Sequence, residues 1–263
     1  TPILPTPEWQ GKSGINYYAD FMMQIDDYVG QLIQTLDDEG ITDNTMVVFT
    51  SDNGPSPEAD FEILAQHGHD SRAGFRGHKA DIYEGGHRIP FIVKWPTQIK
   101  PNSTSHSTIS LTDLMATCAD LVNVDLKDTE AEDSFSLVPL LSLMDTTSYK
   151  RQATVHHSVN GSFAIRKGNH KLIFVPGSGG WSYPVPGKDD TTDMPKFQLY
   201  DVEADPSEKK NLVLEYPKVV EELSQLMVSY IKNGRSTPGV PQQNAPLHLN
   251  GAEWYQIDTF MKK

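Results

Sequence analysis

Acidic, amide and basic side chains gather between residues 51 and 90. Asp52 and Asn53 come directly after an apolar run at 46–50, and Lys79 lies further along in a glycine-rich stretch at 77–90. Ligands of open α/β sheets bind beyond the carboxyl ends of the strands, and a carboxylate beside a carboxamide suits a hard cation. A lysine on the same surface could hold an anion. These residue types therefore indicate a joint site for a metal and an oxyanion, such as a phosphate or a sulfate.

The residues around this stretch have the spacing of helices and strands. Apolar side chains recur at helical spacing over 15–36, and short apolar runs at 45–50 and 89–95 predict strands on either side of the polar loop. A further helix is predicted at 111–122, with Cys118 on its apolar stripe as a small core residue. The order of helix, strand, functional loop and strand is typical of an α/β fold.

The pattern changes after about residue 150, where turn signals such as Asn-Gly and Gly-Asn separate short segments. This spacing predicts an antiparallel meander, and a helix is predicted at 217–231 with a proline at its first position. We therefore expect an α/β unit at 1–150 and a smaller antiparallel α+β subdomain at 151–263. The predicted strands lie at 153–157, 162–166, 170–175 and 197–200, with a long exposed loop at 176–195 and an irregular tail beyond Gly234.

Composition narrows the class of protein further. The 263 residues carry a net charge of −13, which argues against nucleic acid as a partner, because neutralising phosphates requires a basic face. No run approaches the roughly 18 apolar residues of a membrane span. A single cysteine, Cys118, allows no internal disulfide. The chain opens on Thr1-Pro2-Ile3 without an initiating methionine, so we expect it to start within a longer protein.

The motifs at 51–54 (Ser-Asp-Asn-Gly) and 77–90, which ends in Glu-Gly-Gly-His-Arg-Ile-Pro, resemble those of the type I, formylglycine-dependent sulfatases. These enzymes belong to the alkaline phosphatase superfamily, and the resemblance is close to the branch of arylsulfatase A and N-acetylgalactosamine-6-sulfatase. It extends along nearly the whole chain. The resemblance implies an alkaline-phosphatase-like sulfatase fold, of which this chain would be the C-terminal portion.

The same resemblance implies roles for individual residues. Asp52 and Asn53 correspond to calcium ligands, and Lys79 corresponds to a catalytic lysine that binds the sulfate. The nucleophile of these enzymes is a formylglycine made from a Cys/Ser-x-Pro-x-Arg motif, which this chain lacks, since Cys118 is followed by Ala-Asp-Leu-Val. The nucleophile and the other calcium ligands are therefore expected in a missing N-terminal half. The implied reaction is hydrolysis of a sulfate ester on a sulfated carbohydrate or a small aryl sulfate, and relatives are commonly exported or lysosomal.

The histidines leave several interpretations open. His69 is a candidate substrate contact, as a hydrogen-bond donor to the sulfate or the sugar. A zinc site from the histidines at 67, 69, 78 and 87 is weakened by their loop placement and the lack of a cysteine partner. His156 and His157 lie on one predicted strand, so alternation sends one of them inward. Glu84 and Arg88 are expected to form a buried ion pair that braces the Gly-Gly turn.

Two other functions compete with the sulfatase interpretation. A phosphodiesterase or phosphonate hydrolase of the same superfamily shares the sheet, although such enzymes usually carry histidine-bearing metal motifs in place of Asp52 and Asn53. A non-catalytic pseudoenzyme fragment is the other alternative. Local turn statistics alone explain an Asp-Asn-Gly sequence after a strand, and a lysine such as Lys79 is most often a solvated surface residue.

Overall fold

A computed structural model describes residues 3–142, 146–244 and 256–261. Thr1, Pro2 and positions 245–255 of the predicted irregular tail lie outside the described residues. No helix in the described ranges is both long and apolar enough to cross a bilayer. The division of the chain at residue 150 stays a prediction.

The first helix, α1, runs over Tyr17–Asp38, within two residues of the predicted span at each end. Its N-cap is Asn16, whose side chain accepts a hydrogen bond from the Ala19 amide. Asp20 in the first turn is buried and accepts hydrogen bonds from the amides of Gly11 and Ser13, both at 2.7 Å. This carboxylate fastens the preceding loop to the helix.

The first two strands form an antiparallel pair. Strand β1 (Val47–Thr50) pairs with β2 (Phe91–Lys94), with Thr50 opposite Phe91. The end of β1 therefore lies beside the beginning of β2. This pairing brings the loop after β1 and the loop before β2 to the same edge, so the two motifs meet through antiparallel geometry and not through the carboxyl ends of neighbouring parallel strands.

Helix α4 (Asp113–Leu121) confirms the predicted helix, but the expected burial of Cys118 is wrong, since Cys118 is exposed. The buried residues of α4 are Asp113 and Thr117. Asp113 forms an ion pair with the nearly buried Arg151, and the Thr117 hydroxyl accepts a hydrogen bond from the Leu137 amide at 2.9 Å. The inward face of α4 is thus defined by polar contacts, which apolar periodicity does not reveal.

The later strands confirm the predicted meander. The elements are β3 Thr154–His157, β4 Phe163–Lys167, β5 His170–Ile173, β6 Gln198–Asp201 and α6 Pro217–Asn233. The strands form one antiparallel sheet in the order β3-β4-β5-β6, and α6 packs against β4 and β5. The helix α6 starts with the predicted proline at its first turn and ends at Gly234, whose φ of 60° is the left-handed conformation that glycine favours.

Four short α-helices accompany these elements, and the main apolar core lies in the second half of the chain. Buried residues of the meander and α6, among them Ile165, Leu172, Leu199 and Leu223, form the larger apolar cluster. A second cluster joins Ile82 and Tyr83 to the other face of the same sheet. The short helices are α2 Phe61–Gln66, α3 Glu84–His87, α5 Val138–Ser142 and α7 Asp258–Met261.

The prediction of an exposed loop at 176–195 is wrong for its first part. Residues 177–180, which read Gly-Ser-Gly-Gly, are buried, whereas most of 186–195 is exposed. The Ser178 carbonyl accepts a hydrogen bond from the Ile82 amide at 2.8 Å. Small residues let this backbone approach its neighbours closely, so a composition that is typical of a mobile loop here forms part of the interior.

Candidate active site

Two backbone hydrogen bonds join the loop after β1 to the loop before β2. The Gly54 amide donates to the Gly86 carbonyl at 3.0 Å, and the Lys79 amide donates to the Pro55 carbonyl at 2.9 Å. The structure thus brings the Asp-Asn-Gly motif and the lysine-bearing stretch together, although 22 residues separate them in the sequence. The predicted metal and oxyanion residues share one edge of the fold.

Asp52 and Asn53 have the chemistry of cation ligands. Asp52 is exposed, and its carboxylate has no ion pair among the described residues. Asn53 is half-buried, and its Nδ2 donates to the Gly54 carbonyl at 2.9 Å, which leaves Oδ1 as the atom able to bind a cation. These two oxygen donors fit calcium, but Ca²⁺ takes roughly six to eight oxygen ligands. The pair can therefore supply only part of a coordination shell.

Lys79 is half-buried on a tightly held loop. Its carbonyl contacts Nδ1 of His78 at 3.0 Å, and the following residue, Ala80, has a φ of 83°. No carboxylate pairs with the Lys79 ammonium in the described ranges. A lysine whose backbone is held and whose ammonium has no carboxylate partner among the described residues is suited to binding an anionic ligand.

Asp81 is a buried residue of the site that the sequence did not single out. One carboxylate oxygen accepts the His78 amide at 2.9 Å, and the other accepts the amides of Trp181 and Ser182 at 2.7 and 3.0 Å. Three backbone donors thus converge on one carboxylate. Asp81 fixes the lysine loop relative to the loop at 177–184, two segments about a hundred residues apart.

Behind the site, Glu84 belongs to a buried charge network. Lys171 lies between two carboxylates, 3.1 Å from Glu84 and 3.0 Å from Glu208. Arg166 contacts Glu84 at 3.2 Å, and the predicted partner, Arg88, is further away at 3.7 Å. Burial alone would raise the pKa of Glu84, but Lys171 and Arg166 outweigh it and hold that pKa below its ordinary value. For Glu208, burial prevails and raises the pKa.

Two imidazoles contact each other beside this network, with their ring planes tilted by 54°. The ring centroids of His87 and His156 are 4.4 Å apart, and both Nε2 atoms are buried without a hydrogen-bond partner in the described structure. Burial, reinforced by the charge of Lys171, lowers the pKa of His87 to about 4. The same causes lower the pKa of His156 well below its ordinary value. Both rings are therefore neutral near pH 7.

Comparison with known proteins identifies the family. The family model described as "Sulfatase" matches residues 4–124, which include Asp52, Asn53 and Lys79. The chain is 38% identical to an N-acetylgalactosamine-6-O-sulfatase of Bacteroides thetaiotaomicron over 87% of its length. This chain belongs to the sulfatase family.

Further comparisons agree with this membership. Human arylsulfatase A is 32% identical over 82% of the chain. A solved structure from work on glycosaminoglycan metabolism by Bacteroides thetaiotaomicron aligns with a TM-score of 0.74 at 38% identity, over 87% of this chain and 47% of that one. The chain spans 44% of the length of each of the two curated relatives, so it corresponds to less than half of either protein.

Within this sulfatase fold, the remaining histidines are dispersed. His69 is exposed on the turn after α2, and its role as a substrate contact stays a prediction. His67 is also exposed, whereas His78 packs against the Phe61 ring at a centroid distance of 5.9 Å. The described residues contain no group of three His, Cys, Asp or Glu side chains arranged to hold a metal. The predicted alternation on β3 is confirmed, since His157 is exposed and the Nε2 of its neighbour is buried.

A cleft of about 800 Å³ opens beside Asp52. Its walls come from β2, the segment at 103–111 and β3, and many of the lining side chains are apolar. Of the predicted site residues, Asp52 lines this cleft and Lys79 does not. The cleft therefore reaches only the metal side of the candidate active site.

Proposed function

We propose that the complete protein containing this sulfatase-family chain hydrolyses sulfate esters. The observation that carries the proposal is the pair of backbone hydrogen bonds, Gly54 to Gly86 and Lys79 to Pro55, which hold the cation ligands and the anion-binding lysine on one edge. A site that combines oxygen ligands with a lysine on a fixed backbone suits an anionic ester whose negative charge must be neutralised.

In this proposal, Asp52 and Asn53 hold calcium through carboxylate and amide oxygens. When bound, the metal supplies positive charge that orients a sulfate oxygen. Lys79 binds the sulfate and neutralises charge on its oxygens as the bond between sulfur and the ester oxygen breaks. The backbone of Lys79 is held by its hydrogen bond to Pro55, and Asp81, two residues further on, anchors the same loop.

The remaining parts of the site come from a segment outside this chain. A formylglycine nucleophile and further calcium ligands are expected there, since Asp52 and Asn53 are too few for a calcium shell. The apolar surface of the chain supports a large partner segment. Met22, Met23 and Leu32 on α1 and Ile92 on β2 are each at least 40% exposed, so both elements carry apolar side chains that a further segment would bury on contact.

The proposed substrate class is sulfated carbohydrate. Support comes from the relative named N-acetylgalactosamine-6-O-sulfatase and from the solved structure connected with glycosaminoglycans. A small aryl sulfate is the competing substrate within the same chemistry, because arylsulfatase A is also similar to this chain.

Sulfate release from N-acetylgalactosamine 6-sulfate by the purified complete protein tests this function. We expect release of inorganic sulfate that a chelator abolishes and added calcium restores. Bis(4-nitrophenyl) phosphate serves as the competing substrate. Faster hydrolysis of this phosphodiester than of any sulfate ester would favour the phosphodiesterase alternative, and hydrolysis of neither would favour a pseudoenzyme.

A further inference from the structure

Two aromatic side chains project from the loop at 177–184 beside the lysine loop. Trp181 is 51% exposed and Tyr183 is 66% exposed, whereas residues 177–180 before them and Pro184 after them are buried. No ring stacking or cation–π contact involves either aromatic within the described ranges. Leaving a tryptophan exposed at the tip of an otherwise buried segment forgoes the burial that aromatic residues usually gain.

The loop that carries these rings is held rigidly. The Ser178 amide and hydroxyl both donate to the Pro184 carbonyl, at 2.9 and 3.0 Å, and close the base of the loop. A β-carbon at Gly180 would lie 2.5 Å from the Ala80 carbonyl oxygen, so the backbones of the two loops touch. The exposure of the aromatic pair is therefore a fixed property of the loop and not the result of a mobile tip.

The Asp81 carboxylate places this loop relative to Lys79. It binds the amides of Trp181 and Ser182 with one oxygen and the amide of His78 with the other. The tryptophan backbone and the lysine loop are thus attached to opposite sides of one buried side chain. The loop that carries the two aromatic residues is therefore held against the loop that carries Lys79.

We propose that Trp181, with Tyr183 next to it, forms a platform on which a sugar ring of the substrate stacks while its sulfate group reaches Lys79. Sugar rings present apolar C–H faces, and a rigid aromatic ring binds such a face with little loss of conformational entropy. The inference rests on the proposed sulfatase function and adds the part of the site that recognises the carbohydrate. Asp81 acts as a positioning residue that holds the loop of the two rings against the loop of Lys79.

The test compares Trp181→Ala and Trp181→Phe with the wild type in the complete protein. The substrate is a disaccharide carrying N-acetylgalactosamine 6-sulfate, and inorganic sulfate is the competitive inhibitor without a sugar ring. We expect Trp181→Ala to raise KM for the disaccharide roughly tenfold with a smaller change in kcat, and the inhibition constant of sulfate to stay within about twofold. Trp181→Phe recovers part of the affinity, and Tyr216→Ala, an exposed aromatic at the start of α6, changes neither constant.

A direct measurement of disaccharide binding distinguishes failure of this inference from failure of the proposed function. Titration of the disaccharide should change the tryptophan fluorescence of the wild type and not of Trp181→Phe, even if no sulfate is released. An unchanged KM in Trp181→Ala, or an equal loss of affinity for inorganic sulfate, would overturn the platform. Shielding of Trp181 from acrylamide quenching in the ligand-free complete protein would also overturn the platform, since another segment would then cover the ring.

Discussion

Gly54 lies against Gly85 so closely that a β-carbon at Gly54 would sit 1.7 Å from the Gly85 carbonyl oxygen. The obstacle is backbone, which cannot move aside as a flexible side chain can. This contact explains why the Asp-Asn motif ends in glycine: only that residue lets the loop after β1 approach the loop before β2.

The first prediction follows from this contact. Gly54→Ala should separate the two loops, lower the free energy of unfolding by about 2 kcal/mol or more and weaken calcium binding. Gly30→Ala is the matched control, because Gly30 lies within α1 and a β-carbon added there would meet no atom within 4 Å. Alanine at this position should stabilise the helix by roughly 0.5–1 kcal/mol. Urea unfolding and calcium titration measure both effects. If the two variants have equal free energies of unfolding and equal calcium affinities, the close contact of Gly54 with Gly85 contributes to neither property.

Lys171 provides the second prediction, since it neutralises two buried carboxylates. Lys171→Met should cost about 3–5 kcal/mol in the free energy of unfolding, because Glu84 and Glu208 would lose their shared cation in the interior. Lys167→Met removes a surface pair with Glu222 and should cost less than about 1 kcal/mol. Chemical denaturation of both variants checks this contrast. A cost near that of the surface variant would mean that water reaches the network.

His87 leads to a prediction about pH. Its pKa falls from an ordinary 6.5 to about 4 in the folded state, mainly through burial, so the folded state binds the proton more weakly than the unfolded state. The contribution of the neutral ring to the free energy of unfolding is fully present above pH 6.5. It is lost as the pH falls towards 4, by up to about 3 kcal/mol.

His87→Leu should therefore flatten the fall in stability between pH 6.5 and 4, as measured by urea unfolding at several pH values. His67→Gln, at an exposed position after α2, is the control and should leave the profile unchanged. A wild-type profile that is already flat over this range would contradict the argument. His156, which contacts the His87 ring and has its pKa lowered by the same causes, contributes in the same direction.

The spacing of apolar residues and the positions of turn residues predicted much of this fold. Helical spacing located α1 and α6 closely, and turn signals between short apolar runs predicted the four-stranded meander. The Asp-Asn and lysine motifs were recognised from sequence, and the structure places them together. These features depend on neighbours within one element or one motif, where residue spacing reflects the geometry directly.

The missed features depend on distant partners. Lys171 pairs with Glu84 across 87 positions, and Asp81 binds the Trp181 amide across 100. A buried lysine on a strand has no local signature, and neither does a carboxylate that binds backbone amides. Glycine and serine favour turns and so predict an exposed loop at 177–180, yet the same small residues allow close packing.

Calcium-dependent sulfate release by the complete protein and its Asp52→Ala variant tests the central claim most directly. We expect the wild type to release sulfate from N-acetylgalactosamine 6-sulfate with a saturable dependence on calcium. Asp52→Ala should require at least about tenfold more calcium for half-maximal activity, because a carboxylate ligand is lost. Asp43→Ala, in the 3₁₀ turn before β1, is the control. If Asp52→Ala shows the calcium dependence of the wild type, Asp52 is not a metal ligand and the proposed site is wrong.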